Sequence, residues 1–230
     1  DGLKGKRIGI LRTVMGYHSE PDSEDFKQVD ALFNKSVEDM AAAGAEIVDP
    51  IEIPDMLEYL SKRAWDTVGD DQSFRDYAAG SANSPFASRE EAMASPLYAQ
   101  VTNGVTTRWA GSATPEEYAA YQKARGDFMT VFLNTMARHG LDAIVHKAVE
   151  HTPTLIADGI APPFVDQKGA PHLNTYLIFV PSVVVPAGFT PGGLPAGITF
   201  LGRPYSDADM LNYAYAYEQA TGHRRVPDLG

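Results

Sequence analysis

The 230-residue sequence contains six histidines, 30 acidic and 19 basic side chains, and no cysteine. The densest reactive cluster is His146, Glu150, His151 and Asp158, residue types that can hold a divalent metal. Its spacing argues for a loop instead. Histidines five positions apart share neither one helical face nor alternate positions on a strand. The glycine-rich stretch from Gly188 to Gly193 resembles a phosphate loop in composition, but it joins two strands and does not open a helix. Ser182 follows a proline at a strand start and reads as structural. Gly80-Ser81-Ala82-Asn83-Ser84 offers hydroxyls among small residues, in what reads as a loop. Nothing positions a Ser–His–Asp triad among the scattered histidines. Tyr213, Tyr215 and Tyr217 fall in a helical segment, where packing is the expected role.

The elements that would position such groups are those of one α/β layer system. Arg7–Leu11 is a short β-type run. From Ser23 the period changes: Phe26, Val29, Phe33, Val37 and Met40 place one apolar stripe along a helix. Gly44 stands where a left-handed cap is wanted, and Ala45–Val48 resumes strand. Strand, helix and strand over this span is the arithmetic of a parallel pair. Residues 52–113 are less regular, with helical pieces expected at Asp55–Val68 and Ser88–Ala94 around the Gly80–Pro85 loop. Thr114-Pro115-Glu116-Glu117 combines an N-cap hydroxyl, a first-turn proline and a reciprocal glutamate, predicting a long helix that ends at His139-Gly140. Strand Leu141–Val145 follows, then a loop over 151–171. Pro181–Pro186 is a near-continuous apolar run, as expected of a strand covered on both faces. A turn leads into strand Ala196–Leu201, and a last helix begins at Ser206 as N-cap and runs to Gly222. No repeat or linker is visible, so a single domain is expected.

Composition narrows the partners. A hydrophobic fraction of 44% and a charged fraction of 21% are those of a globular chain. A net charge of −11 repels phosphate backbones and anionic lipid, so neither nucleic acid nor membrane is expected as a partner. The lack of cysteine rules out a disulfide framework, a thiolate nucleophile and a Cys-ligated zinc. It fits the reducing cytoplasm, and also a periplasmic protein that needs no disulfide. The opening residues Asp1–Arg7 have neither an initiator Met nor a signal peptide's apolar core, so the gene is expected to begin upstream.

The tract Pro181-Ser182-Val183-Val184-Val185-Pro186-Ala187-Gly188, continued by Gly193-Leu194-Pro195-Ala196-Gly197-Ile198 and Gly202, resembles the C-terminal signature of amidase-signature hydrolases. So do Asp209-Met210-Leu211, Ala214–Thr221 and Arg224-Arg225-Val226-Pro227. Upstream, Leu3–Gly9, Gly44–Val48 and Leu141–Val145 match that family's strand–helix–strand and pre-signature strand, in the family's order. One departure is Phe179, two residues before Pro181, where the family commonly has glycine; it alters how closely the backbone approaches its neighbour.

The resemblance implies an α/β fold with a mixed, largely parallel sheet flanked by helices. It also implies hydrolysis of a carboxylic amide C–N bond by a Ser–Ser–Lys arrangement, with no cofactor and no metal. There a neutral lysine relays a proton through one serine to activate the other, and backbone N–H groups hold the oxyanion. In such enzymes these residues belong to the N-terminal half, so no catalytic residue is assigned in this chain. The segment leading into the signature strand lines the acyl side of the pocket in similar enzymes. That points to Gly169, His172, Leu173 and Tyr176 as substrate-binding residues, with His172 as the polar contact. The expected partners are the N-terminal half of the same amidase, on the same or a separate polypeptide, and a small-molecule amide. The chain alone is then inactive. A second reading is a non-catalytic binding or assembly module on the same scaffold, which would have to shield its strand edges.

Overall fold

A computed structural model describes residues 2–64, 67–98, 113–161, 168–177 and 180–226. The elements in chain order are β1 (Arg7–Leu11), β2 (Gly16–Tyr17), α1 (Glu24–Ala42), β3 (Glu46–Ile51), α2 (Met56–Ser61), α3 (Thr67–Ala79) and α4 (Arg89–Ala94). These are followed by α5 (Pro115–His139), β4 (Ala143–Lys147), α6 (Ile156–Ile160), β5 (Ala170–Pro171), β6 (Ser182–Phe189), β7 (Pro195–Leu201) and α7 (Asp207–Thr221). The chain divides into two compact units. One comprises Asp1–Leu60, Arg125–Pro153 and Gln167–Gly230; the other comprises Ser61–Ala124 and Thr154–Asp166.

The first unit is built on a five-stranded sheet of order β3-β1-β4-β7-β6. β1 pairs parallel with β3 and β4, while β7 runs antiparallel to both β4 and β6. The parallel pair exists because α1 carries the chain back along the sheet between β1 and β3. Ile10, Val145, Phe200 and Val183 lie in register across four strands. On that face the apolar stripe of α1 (Phe33, Val37, Met40) and the inner side of α7 (Met210, Tyr213, Ala214, Tyr217) close one core. Burying a ring such as Phe33 contributes about 2–3 kcal/mol. Tyr217 keeps its hydroxyl in that core by donating to Ser36 Oγ at 2.9 Å, and burial pushes its pKa up to about 12. Tyr213 is also buried, whereas Tyr215 faces outward.

Local signals account for the helix ends. Ser23 Oγ accepts from the Phe26 amide, and Gly44 takes φ 95° just beyond α1. Thr114 and Glu117 form the reciprocal box: each side chain accepts from the other's amide, at 3.2 and 2.8 Å. Removing that hydroxyl by Thr114→Ala should cost about 1 kcal/mol of stability in chemical denaturation, and no measurable loss would show that the box contributes nothing. Ser206 precedes α7 as expected, but its hydroxyl donates backward to the Arg203 carbonyl and does not cap the helix.

Two further sequence expectations need correction. The 151–171 stretch is not all loop, since it contains α6 and β5. The run Pro181–Pro186 is not covered on both faces. Among the described residues β6 pairs only with β7, at the sheet's edge, and Val184 is 60% exposed. Phe179 lies outside the described residues.

The second unit contains α3, α4, α6 and the first turns of α5. Ser88 caps α4, and Arg89 is buried with an ion pair to Asp71 at 3.2 Å. A cavity of about 290 Å³ in this unit is lined by Phe74, Tyr77, Phe86, Leu97 and Tyr98. Among the described residues no helix is long and apolar enough to cross a membrane.

Candidate functional site

In an open α/β sheet, ligands collect beyond the carboxyl ends of the parallel strands, where loops diverge. Here those ends are Leu11 on β1 and Lys147 on β4. The loops leaving them meet the segment 168–177 in one cluster of polar side chains.

On one side of the cluster a charged chain ties both strand ends to α1. Arg12 donates to both carboxylate oxygens of Asp49 at 2.6 Å and to Asn34 Oδ1 at 2.7 Å. The hydrogen bond to Asp49 raises the guanidinium's pKa above its ordinary value. Asn34 in turn donates to Asp30 at 3.1 Å, and Lys147 Nζ lies 2.6 Å from the same carboxylate. Lys147 is buried because its ammonium sits 4.1 Å from the centre of the Phe26 ring, an apolar face that attracts a cation.

On the other side Glu150, 2% exposed, is the hub. Its two oxygens accept from the Met15 and Gly16 amides at 2.9 Å each, and from the Ser19 hydroxyl. Its own amide donates to the Gly169 carbonyl at 2.7 Å, and the Gly169 amide donates to the Tyr17 carbonyl at 2.6 Å. β2 and β5 then pair antiparallel, Gly16 with Pro171 and Tyr17 with Ala170. The next residue, His151, is buried. Its Nδ1 lies 2.8 Å from the Thr152 carbonyl, and its Nε2 lies 3.5 and 3.6 Å from the carboxylates of Asp25 and Glu20. A hydrogen bond from Lys168 is the main cause of a lowered Glu20 pKa.

The four residues singled out for substrate binding occupy one short segment but differ in what they present. Gly169 adopts φ 68° at the crossing with the β1 loop. His172 is half-buried, with its ring centre 5.9 Å from that of Tyr17. Leu173 and Tyr176 are fully buried. Tyr176 stands edge-on to Phe128 at 6.0 Å and donates to the Leu60 carbonyl at 3.0 Å. Leu173 and Tyr176 therefore anchor the segment to the interior, and of the four residues His172 has the most accessible side chain.

His146 stands apart from Glu150 and His151. It is buried on β4, Nδ1 donates to the Lys147 carbonyl at 2.6 Å, and burial lowers its pKa to about 4. Among the described residues no group of three or more His, Asp or Glu could hold a metal. The roles of Glu150, Gly16 and Ser19 were not visible in the sequence. A glutamate next to a histidine in a polar stretch gives no sign that it will be buried against a loop far earlier in the chain.

Comparison with known proteins places this architecture. The Amidase family model matches residues 2–211. A glutamyl-tRNA(Gln) amidotransferase subunit from Roseobacter denitrificans is 28% identical, over 98% of this chain and 47% of that protein. A probable amidase of Arabidopsis thaliana is 27% identical, over 98% of this chain and 40% of its own length. The native peptide amidase of Stenotrophomonas maltophilia superimposes with a TM-score of 0.69 at 25% identity, over 99% of this chain and 45% of that one. The chain thus spans about half the length of the curated relatives it matches. With the mixed sheet, the signature tract on β6 and β7, and a family match over nearly its whole length, the chain belongs to the amidase family.

Proposed function

We propose that this chain is the C-terminal scaffold and pocket-wall portion of an amidase that hydrolyses a carboxylic amide C–N bond, with its Ser–Ser–Lys groups supplied by the remaining portion. The carrying observation is β6, an apolar strand of the family signature that among the described residues pairs on one side only and leaves Val184 60% exposed. An unpaired edge of this kind invites another strand. The family match, with coverage of about half of each relative, supports the rest of the same enzyme as its occupant. On this reading Gly169, His172, Leu173 and Tyr176 form the acyl-side wall. Leu173 and Tyr176 hold it from behind, Gly169 contributes backbone, and the ring of His172 faces a small amide substrate.

The test is hydrolysis of a panel of simple aryl and alkyl amides by the purified chain. No turnover above buffer is expected from the chain alone, and turnover should return when an N-terminal portion bearing Ser–Ser–Lys is added. Turnover by the chain alone, verified free of contaminating enzyme, would overturn the assignment of the catalytic groups. Binding of that portion without any turnover would favour a non-catalytic module.

A further inference from the structure

We propose that Glu150 is a positioning residue of the pocket wall, setting the place of His172 by locking the turn after β1 to Gly169, the residue just before β5. This rests on the reading of Gly169–Tyr176 as the acyl-side wall and deepens it.

A carboxylate taken out of water is tolerated only where donors surround it. The donors to the Glu150 carboxylate come from one turn: the Met15 amide, the Gly16 amide and the Ser19 hydroxyl. The main chain of the same residue holds the other partner, through its amide to the Gly169 carbonyl, and Gly169 bonds back to Tyr17. Turn, Glu150 and Gly169 therefore close a ring of hydrogen bonds. The fit is tight: a Cβ on Gly16 would lie 2.5 Å from the Gly169 backbone, and one on Gly169 would lie 2.5 Å from the His151 nitrogen. β5 leaves directly from this ring and delivers His172 beside Tyr17. His151 extends the clamp to Glu20 on the same connection and to Asp25 in the first turn of α1. None of these residues belongs to the core between the sheet, α1 and α7, so the ring can loosen while the sheet stays intact.

Glu150→Gln tests the lock, because a carboxamide has one oxygen and cannot accept from all three donors. Amide hydrogen exchange at Gly16, Glu150 and Gly169 should accelerate by about tenfold or more, with Phe33 and Met40 in α1 unchanged. Ser19→Ala, which leaves the carboxylate with two amide donors, should give a smaller increase at the same positions and serves if the first variant fails to fold. In the enzyme completed with its N-terminal portion, Glu150→Gln should raise KM for amides by about tenfold with kcat within about twofold. Unchanged exchange at the ring, equal loosening of α1, or a fall in kcat at constant KM would each overturn the proposal. If the unsubstituted chain also gives no hydrolysis with that portion, the amidase reading fails, and the exchange pattern alone decides whether Glu150 locks the loop.

Discussion

Gly169→Ala should destabilise the chain by on the order of 4 kcal/mol, among the largest effects of any single methyl group. Two costs add. At φ 68° an L side chain is strained by about 1–2 kcal/mol whatever the space around it. The space is also lacking. The new Cβ would lie 2.5 Å from the His151 nitrogen and 2.8 Å from the Glu150 carbonyl carbon and amide nitrogen. All three are backbone atoms, so no flexible side chain can swing away. Gly169 is pinned besides by hydrogen bonds to Tyr17 and from Glu150, so relief would break one of them. Gly126 is the internal control. It is an exposed glycine within α5 with nothing among the described residues within 4 Å of its Cβ position. Gly126→Ala should be neutral or stabilising by up to about 1 kcal/mol through helix propensity. Urea unfolding of both variants measures the contrast. A Gly169→Ala variant within about 1 kcal/mol of the parent would mean that the loop crossing is looser than the geometry requires.

Stability should also fall as pH drops from about 6.5 towards about 4, with His146 as a principal cause. Its Nδ1 is committed to the Lys147 carbonyl, and Nε2 has no hydrogen-bond partner among the described residues. Burial lowers its pKa from the ordinary 6.5 to about 4. Between those values the unfolded chain binds a proton that the folded chain refuses, so protonation favours unfolding. The stability tied to the neutral ring is fully present above about 6.5 and is lost as pH falls through that window. At full extent this amounts to roughly 3 kcal/mol. Carboxylates titrate over the same range, so the informative quantity is a difference. His146→Leu removes this ring's titration and leaves the others. The gap in unfolding free energy between parent and variant should therefore shift in the variant's favour by about 2–3 kcal/mol between pH 7 and pH 4.5. Parallel stability curves would show that His146 is hydrated or partnered in the folded chain.

The elements that carry the pocket wall differ in how far they can be read from local chemistry. α1 is legible because its stripe of Phe26, Val29, Phe33, Val37 and Met40 repeats with the helical period, and each of these side chains is buried. α5 announces its start because Thr114 and Glu117 satisfy each other's amides within four residues. β1, β3 and β4 each contain a short apolar run, and the β1–β3 pairing follows from the helix between them. Hydrophobic period, caps and turns act over a few residues, and a local pattern determines them.

β6 marks the limit of that kind of reading. Val183, Val184 and Val185 form the same apolar run whether a strand is central or at an edge, and only the order β4-β7-β6 places it outermost among the described residues. The wall shows the same limit. Gly169, His172, Leu173 and Tyr176 sit within eight residues, yet two of the side chains are spent on the interior and one remains accessible. Glu150 shows it most clearly, since its donors lie 131–135 residues away in sequence.

The sequence by itself therefore determined the long helices α1, α5 and α7, the five strands of the main sheet and the family, because each rests on periodicity, local hydrogen bonds or the signature tracts. Only the tertiary structure decided which strand is the edge, which wall residue is exposed and where the buried carboxylate finds its donors. Those properties depend on which distant segments come together, and burial and hydrogen bonding between distant segments leave no mark on local pattern.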